Sequence, residues 1–131
     1  MNKLKIVAIL LAFVVFLFAG CSLATPTTPK EYISSAQTIG VKVGEQFMIT
    51  LESNPTTGYK WESNFDQNLL KLVKSEYKAD PQAQGRVGAG GKEQFIFEGL
   101  KVGETQIKMT YKRAWEQQAD KAETFAVRIK Q

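Results

Sequence analysis

Few side chains in this sequence could carry out acid–base or nucleophilic chemistry. The 131 residues include no histidine and one cysteine, so neither a Ser-His-Asp nor a Cys-His arrangement can be built, and a zinc site would lack its usual ligands. Carboxylate pairs could still hydrolyse glycosides, and four glutamates fall near predicted strand ends: Glu45, Glu52, Glu62 and Glu93. Their spacing indicates only solvated strand faces. The sequence therefore predicts a protein that is not an enzyme and that uses no metal or cofactor.

Three turn-rich connections are stronger candidates for function, as binding loops: NPTTGY at 54–59, RVGAGGKEQF at 86–95 and YKRAWE at 111–116. In the first, Pro55 fixes its own φ and restricts the residue before it, while Gly58 can take a positive φ. Asn54 and the two threonines can hydrogen-bond to nearby backbone. These residues predict a preformed wedge, which would lose little entropy on entering a cleft.

Taken singly, each connection has a simpler interpretation. NPTTG could be only a turn, residues 88–91 could be a flexible connection, and Trp115 could be a core residue at a strand end. Their joint occurrence at one end of the predicted fold favours a binding site.

The elements that must position these loops are short strands. Apolar residues recur with a period of two in runs that include residues 39–43, 47–51, 95–97, 105–111 and 125–129, and 69–77 is a less regular strand. No run has helical spacing. Six or seven strands separated by turns predict an all-β, immunoglobulin-like antiparallel β-sandwich. In that strand order the three connections join strands 2–3, 4–5 and 6–7 and lie at one end, while Trp61 belongs to the core.

The first twenty residues are predicted to form a secretion signal, in which Lys3 and Lys5 precede an apolar run at 6–18. That run is short for a membrane span, although a retained anchor is the alternative. Cys21 follows Ala19-Gly20, which resembles the lipobox of bacterial and archaeal lipoproteins. We therefore expect Cys21 to be lipidated as the first mature residue; a free thiol is the other interpretation.

The mature chain divides into a tether and one domain. Residues 21–37 are rich in Ser, Thr and Pro and predict a semi-flexible spacer, and residues 38–131 can bury a core without disulfides or metal. Loss of the two signal lysines lowers the formal charge from +4 to +2, and the charges are interspersed, so we expect no nucleic-acid partner. The prediction is an exported monomer, lipid-anchored at the outer face of a cell membrane, in a periplasm or on the cell surface.

The three connections, in this order and with Trp61 after the first, resemble the chagasin family of inhibitors of papain-like cysteine proteases over about residues 38–130. The resemblance implies reversible, tight-binding, competitive inhibition in which three loops block the active-site cleft. The protease-binding residues that it implies are Asn54, Pro55, Thr56, Thr57, Gly58, Tyr59, Gly88, Ala89, Gly90, Gly91, Arg113, Ala114 and Trp115.

The family also implies a role for each loop. Thr56 and Thr57 would approach the catalytic cysteine of the protease, the second loop would bind through its backbone, and Arg113 with Trp115 would pack on the other side of the cleft. Ala114 departs from the family's Arg-Pro-Trp. A second hypothesis is a cell-surface adhesion or assembly module that uses the same loops on a non-protease partner, since fold does not fix function.

Overall fold

The computed structural model describes residues 27–83 and 85–131, and it consists of two four-stranded sheets. The strands are β1 (Lys30–Tyr32), β2 (Ile39–Lys42), β3 (Gln46–Ser53), β4 (Tyr59–Asn64), β5 (Leu70–Ala79), β6 (Gly91–Gly99), β7 (Gly103–Arg113) and β8 (Lys121–Lys130). One sheet has the order β1-β3-β6-β5 and the other β2-β8-β7-β4. The predicted all-β sandwich is confirmed, with eight strands instead of six or seven.

The predicted signal peptide and Cys21 lie outside the described residues. Within the part that is described, no helix has the length and apolar composition needed to cross a membrane.

The first two strands differ from the sequence prediction. β1 pairs with β3 and β2 pairs with β8, both in parallel, whereas all other strand pairs in the described chain are antiparallel. Tyr32 in β1 is buried and packs edge-on against Phe47 at 6.4 Å between ring centroids. The domain therefore begins near Lys30 and not at residue 38, because the end of the predicted tether supplies a strand and a core side chain.

The register of the strands brings the three predicted loops to one end of the sandwich. Ser53 at the end of β3 pairs with Gly91 at the start of β6, and Tyr59 at the start of β4 pairs with Arg113 at the end of β7. These connections join β3 to β4, β5 to β6 and β7 to β8, one strand later than predicted because β1 adds a strand. We call them the first loop (54–58), the second loop (80–90) and the third loop (114–120).

The core lies between the two sheets and is built from alternate residues of the strands. Phe47 and Phe97 stack at 5.7 Å between centroids, and Phe65 meets Phe97 edge-on at 5.2 Å. Trp61 is buried as predicted, and its indole Nε1 donates to the Glu52 carbonyl at 2.9 Å. The buried apolar residues are Tyr32, Ile39, Val41, Phe47, Ile49, Leu51, Trp61, Leu70, Phe95, Phe97, Ile107, Met109, Tyr111, Phe125, Val127 and Ile129.

One sheet ends at β5, a ten-residue edge strand with exposed lysines and a register shift between Leu72 and Lys74. Side-chain hydrogen bonds from Lys74 and Lys78 hold the pKa of the Glu76 carboxyl below its ordinary value. Charged residues and bulges on an edge oppose pairing with the edge of another sheet. This feature supports the expectation of a monomer.

Candidate functional site

The first loop is held by its own hydrogen bonds. Residues Pro55–Thr57 form a single 3-10 turn, in which the amides of Thr57 and Gly58 donate to the carbonyls of Asn54 and Pro55 at 3.2 and 3.1 Å. The Oδ1 of Asn54 accepts from Thr56 Oγ1 at 2.6 Å and from Thr56 N at 3.3 Å. Gly58 ends the turn at φ 82°, a conformation that L side chains rarely adopt. The loop is a preformed turn, as the sequence predicted.

Two hydrogen bonds fix Asn54 to Tyr111 of β7 and to the second loop. The backbone N of Asn54 donates to the phenolic oxygen of Tyr111 at 2.8 Å, and its side-chain Nδ2 donates to the Gly88 carbonyl at 3.0 Å. The oxygen of this side chain accepts within the first loop and its nitrogen donates to the second. The Asn54 side chain therefore connects the two loops.

Tyr111 belongs to an aromatic platform under the first loop. Its ring is buried, stacks on Tyr59 at 5.1 Å and lies 5.0 Å from the ring of Trp61. Tyr59, which was predicted to contact a protease, is half-buried in this stack. The sequence showed Tyr111 only as a strand residue, since the contact of its hydroxyl with Asn54 spans 57 positions of the chain.

Arg113, the last residue of β7, supports the first loop. Its Nε donates to the Thr57 carbonyl at 3.1 Å, and its guanidinium lies 4.5 Å from the centre of the Tyr59 ring. Glu116 forms an ion pair with the same guanidinium at 3.6 Å. The resemblance implied that Arg113 packs on the protease, and the structure adds that this half-buried side chain is also a brace between loops.

Trp115 projects from the tip of the third loop. The amide of Glu116 donates to the Arg113 carbonyl at 3.1 Å, which closes a turn with Ala114 and Trp115 as its central residues. The indole of Trp115 is 74% exposed, so it is not the core residue that the sequence left as an alternative. Its Cη2 lies 3.4 Å from the position that a Cβ on Gly58 would occupy, and the indole therefore flanks the first loop.

The position of Ala114 in this turn predicts the effect of proline there. Proline is favoured at the second position of type I and type II turns, so Ala114→Pro should stabilise the protein by roughly 0.4–1 kcal/mol by restricting the unfolded chain. Ala114→Gly should lower the stability of the protein, because glycine increases the conformational entropy of the unfolded chain. Melting temperatures of both variants test this, and a lower melting temperature for Ala114→Pro would show that the turn rejects proline.

The second loop presents mixed surfaces. Gly88 is exposed and Ala89 and Gly90 are half-buried, whereas Gly91 is buried, and a Cβ there would lie 2.6 Å from the Tyr77 hydroxyl oxygen and closer still to the Lys78 carbonyl oxygen. Glycine at position 91 is therefore needed for packing within the domain, and this buried residue offers little surface to a partner. Val87 in this loop is fully exposed. The sequence analysis did not include it among the candidate binding residues, although an apolar residue next to glycines could have indicated an exposed contact.

The acidic residues considered for catalysis do not form a site. Glu45 accepts a hydrogen bond from the Lys42 amide, Glu62 pairs with Lys112, and Glu93 accepts from Ser53. Among residues 27–83 and 85–131, no group of three His, Cys, Asp or Glu side chains could hold a metal ion. The braced loops are therefore the candidate site.

The family model described as Chagasin family peptidase inhibitor I42 matches residues 40–129. Amoebiasin-1 of Entamoeba histolytica is 38% identical over 92 residues, covering 70% of this chain and 87% of the relative. Chagasin of Trypanosoma cruzi is 32% identical over 99 residues, covering 71% and 87%.

Solved structures show the same fold. The cysteine protease inhibitor EhICP2 from Entamoeba histolytica superposes with a TM-score of 0.65 at 27% identity, covering 79% of this chain and 99% of that one. The solution structure of Amebosin gives a TM-score of 0.62 at 32% identity, with 79% and 98% covered.

Proposed function

Because this chain belongs to the chagasin family of peptidase inhibitors, we propose that it inhibits papain-like cysteine proteases reversibly and competitively by filling their active-site cleft with its three loops. The observation that carries this proposal is the cross-bracing of the loops: Asn54 joins the first to the second, and Arg113 at the end of β7 bonds to Thr57 of the first loop and pairs with Glu116 of the third. Loops fixed before binding lose little conformational entropy in the complex.

Each loop presents a different surface to the cleft. Thr56 and Thr57 are exposed at the tip of the first loop, where they would approach the catalytic cysteine. The second loop would bind through the backbone near Gly88, and the exposed Val87 would add an apolar contact. Trp115 would anchor the third loop, as large aromatic side chains often dominate interface energetics.

Titration of residues 22–131 into a papain assay tests the proposal. A saturable loss of activity is expected, with an apparent inhibition constant that rises with substrate concentration, while a trypsin-like serine protease should be unaffected. If several papain-like proteases kept full activity at a high concentration of residues 22–131, the adhesion or assembly module would be favoured instead.

We also predict that the inhibitor survives its own complex. Proteases bind extended substrates, whereas the hydrogen bonds within the first loop hold its peptide bonds in a closed turn, away from the geometry that attack requires. Long incubation with a catalytic amount of papain, followed by intact-mass measurement, should show no cleavage between Asn54 and Tyr59. A sample that is kept unfolded is the control, and it shows whether papain can cleave the same peptide bonds when the turn is absent. Rapid cleavage of the native domain would show that the loop is a substrate.

We further propose that lipid on Cys21 anchors the exported protein to a cell membrane. Cys21→Ser should release the chain from the membrane fraction and leave protease inhibition unchanged, because the described loops and core begin well after this residue. Ser22→Ala is the matched control and should remain bound. Fractionation after a high-salt wash, with metabolic labelling by a fatty acid, measures both; a Cys21→Ser chain that stays with the membrane would refute the anchor.

A further inference from the structure

The end of the sandwich opposite the three loops carries exposed apolar side chains. Val43 lies in the turn after β2, where the sequence predicted continued strand alternation, and Leu100 and Val102 flank Lys101 in the turn after β6. These three apolar residues are 46%, 40% and 49% exposed. Turn positions usually favour small and polar residues, so three aliphatic side chains in two turns need an explanation.

Backbone hydrogen bonds join these turns into one surface. The amide of Gly44 donates to the Gly99 carbonyl at 2.7 Å, and the amide of Val43 donates to the Lys130 carbonyl at 2.9 Å. The exposed residues that we call the basal surface are Lys42, Val43, Leu100, Lys101, Val102 and Lys130.

The basal surface combines aliphatic residues with lysines whose long stems can lie along an apolar boundary while the ammonium stays in water. Acidic groups at the same end include Glu45, which accepts from the Lys42 amide, and Asp66 in the neighbouring turn. The charges nearly balance, so apolar burial and not attraction to anionic lipid would provide the contact. Such composition suits a surface at the boundary between lipid headgroups and acyl chains.

The chain enters the domain at this end. β1 runs parallel to β3, and Lys30 is level with Phe47, the second residue of β3. Cys21 precedes Lys30 by nine residues, a distance of at most about 30 Å in a fully extended chain. A lipid on Cys21 would hold the basal surface near the bilayer at a high effective concentration, so that even a weak contact would be populated.

We propose that the basal surface lies on the membrane that anchors Cys21, with Val43, Leu100 and Val102 among the lipid headgroups. This orientation directs the three loops away from the bilayer, toward proteases that approach from outside. The inference rests on the lipid anchor proposed above.

A substitute anchor allows the contact to be tested separately from lipidation. Residues 22–131 contain every described strand and core residue, and Cys21 is the only cysteine. This chain, with an N-terminal polyhistidine segment, would be held on phosphatidylcholine vesicles by a nickel-chelating lipid. A fluorophore attached after Lys101→Cys should shift to shorter wavelength and be quenched by spin-labelled lipid, whereas one attached after Val87→Cys, at the loop end, should show neither change.

Val43→Ser, Leu100→Ser and Val102→Ser together should abolish the quenching at position 101 and leave protease inhibition unchanged. Val73→Ser, at an exposed aliphatic residue of β5, is the matched control and should leave the quenching intact. Equal, unquenched emission at 101 and 87 would overturn the proposal. So would a dimer of the untethered domain that the triple serine variant dissociates, because the basal surface would then bind a second copy. Failure of the anchor itself appears separately, in the fractionation of Cys21→Ser.

Discussion

Asn54→Ala is expected to weaken inhibition by about 2–3 kcal/mol, or roughly 30- to 150-fold, because it removes three hydrogen bonds that each contribute of order 1 kcal/mol. The side chain accepts from Thr56 N and Thr56 Oγ1 and donates to the Gly88 carbonyl. Without it, the first loop would have to be ordered on binding and would lose its registration with the second loop. Inhibition constants of the purified variants measure the loss.

Two matched variants separate the contributions of Asn54. Asn54→Asp keeps the acceptor for Thr56 but loses the donor to Gly88, so its inhibition constant should lie between those of the wild type and Asn54→Ala. Asn64→Ala changes an exposed asparagine at the other end of β4 and should leave inhibition unchanged. If Asn54→Ala inhibits as well as the wild type, the hydrogen bonds of this side chain do not set the affinity.

Trp115→Ala should weaken inhibition by about 2 kcal/mol, roughly thirtyfold, as expected for an aromatic anchor at an interface. Its melting temperature should barely change, because the indole is 74% exposed in the free domain. Trp115→Phe should recover part of the lost affinity, while Leu100→Ala, at an exposed residue of the opposite end, should have no effect. A large fall in melting temperature with unchanged inhibition would remove the third loop from the site.

The strands and the loop positions could be predicted from sequence because their signals are local. Alternation predicts the longer strands and places Trp61 on the inward face of its strand, where it is buried, although the central position expected for that strand was wrong because β4 is an edge strand. Proline and glycine at fixed places predict the first loop, and Gly58 has the expected positive φ. β1 was not predicted because it has only three residues, too few to show alternation, and it lies in a segment rich in Ser, Thr and Pro. Only its pairing with β3 defines it as a strand.

The bracing of the site could not be predicted, since it depends on contacts between residues far apart in the chain. The bonds from Arg113 to the Thr57 carbonyl and from the Asn54 amide to the Tyr111 hydroxyl span 56 and 57 positions. Gly91 appeared in the sequence as one of several glycines open to a partner, and only the fold places Tyr77 against it. Residue types indicated the loops, but the register of the strands decides which side chains brace them.

Occupation of the active-site cleft is tested most directly by comparing one papain-like protease in two forms, free and with its catalytic cysteine covalently blocked by a peptide-like inhibitor that fills the cleft. Calorimetric titration of residues 22–131 should give tight one-to-one binding to the free enzyme and no measurable binding to the blocked enzyme. Trp115→Ala and Asn54→Ala should weaken binding to the free form in the same order as they weaken inhibition. Equal affinity for the free and blocked enzymes would contradict cleft occupation and place the contact elsewhere on the protease.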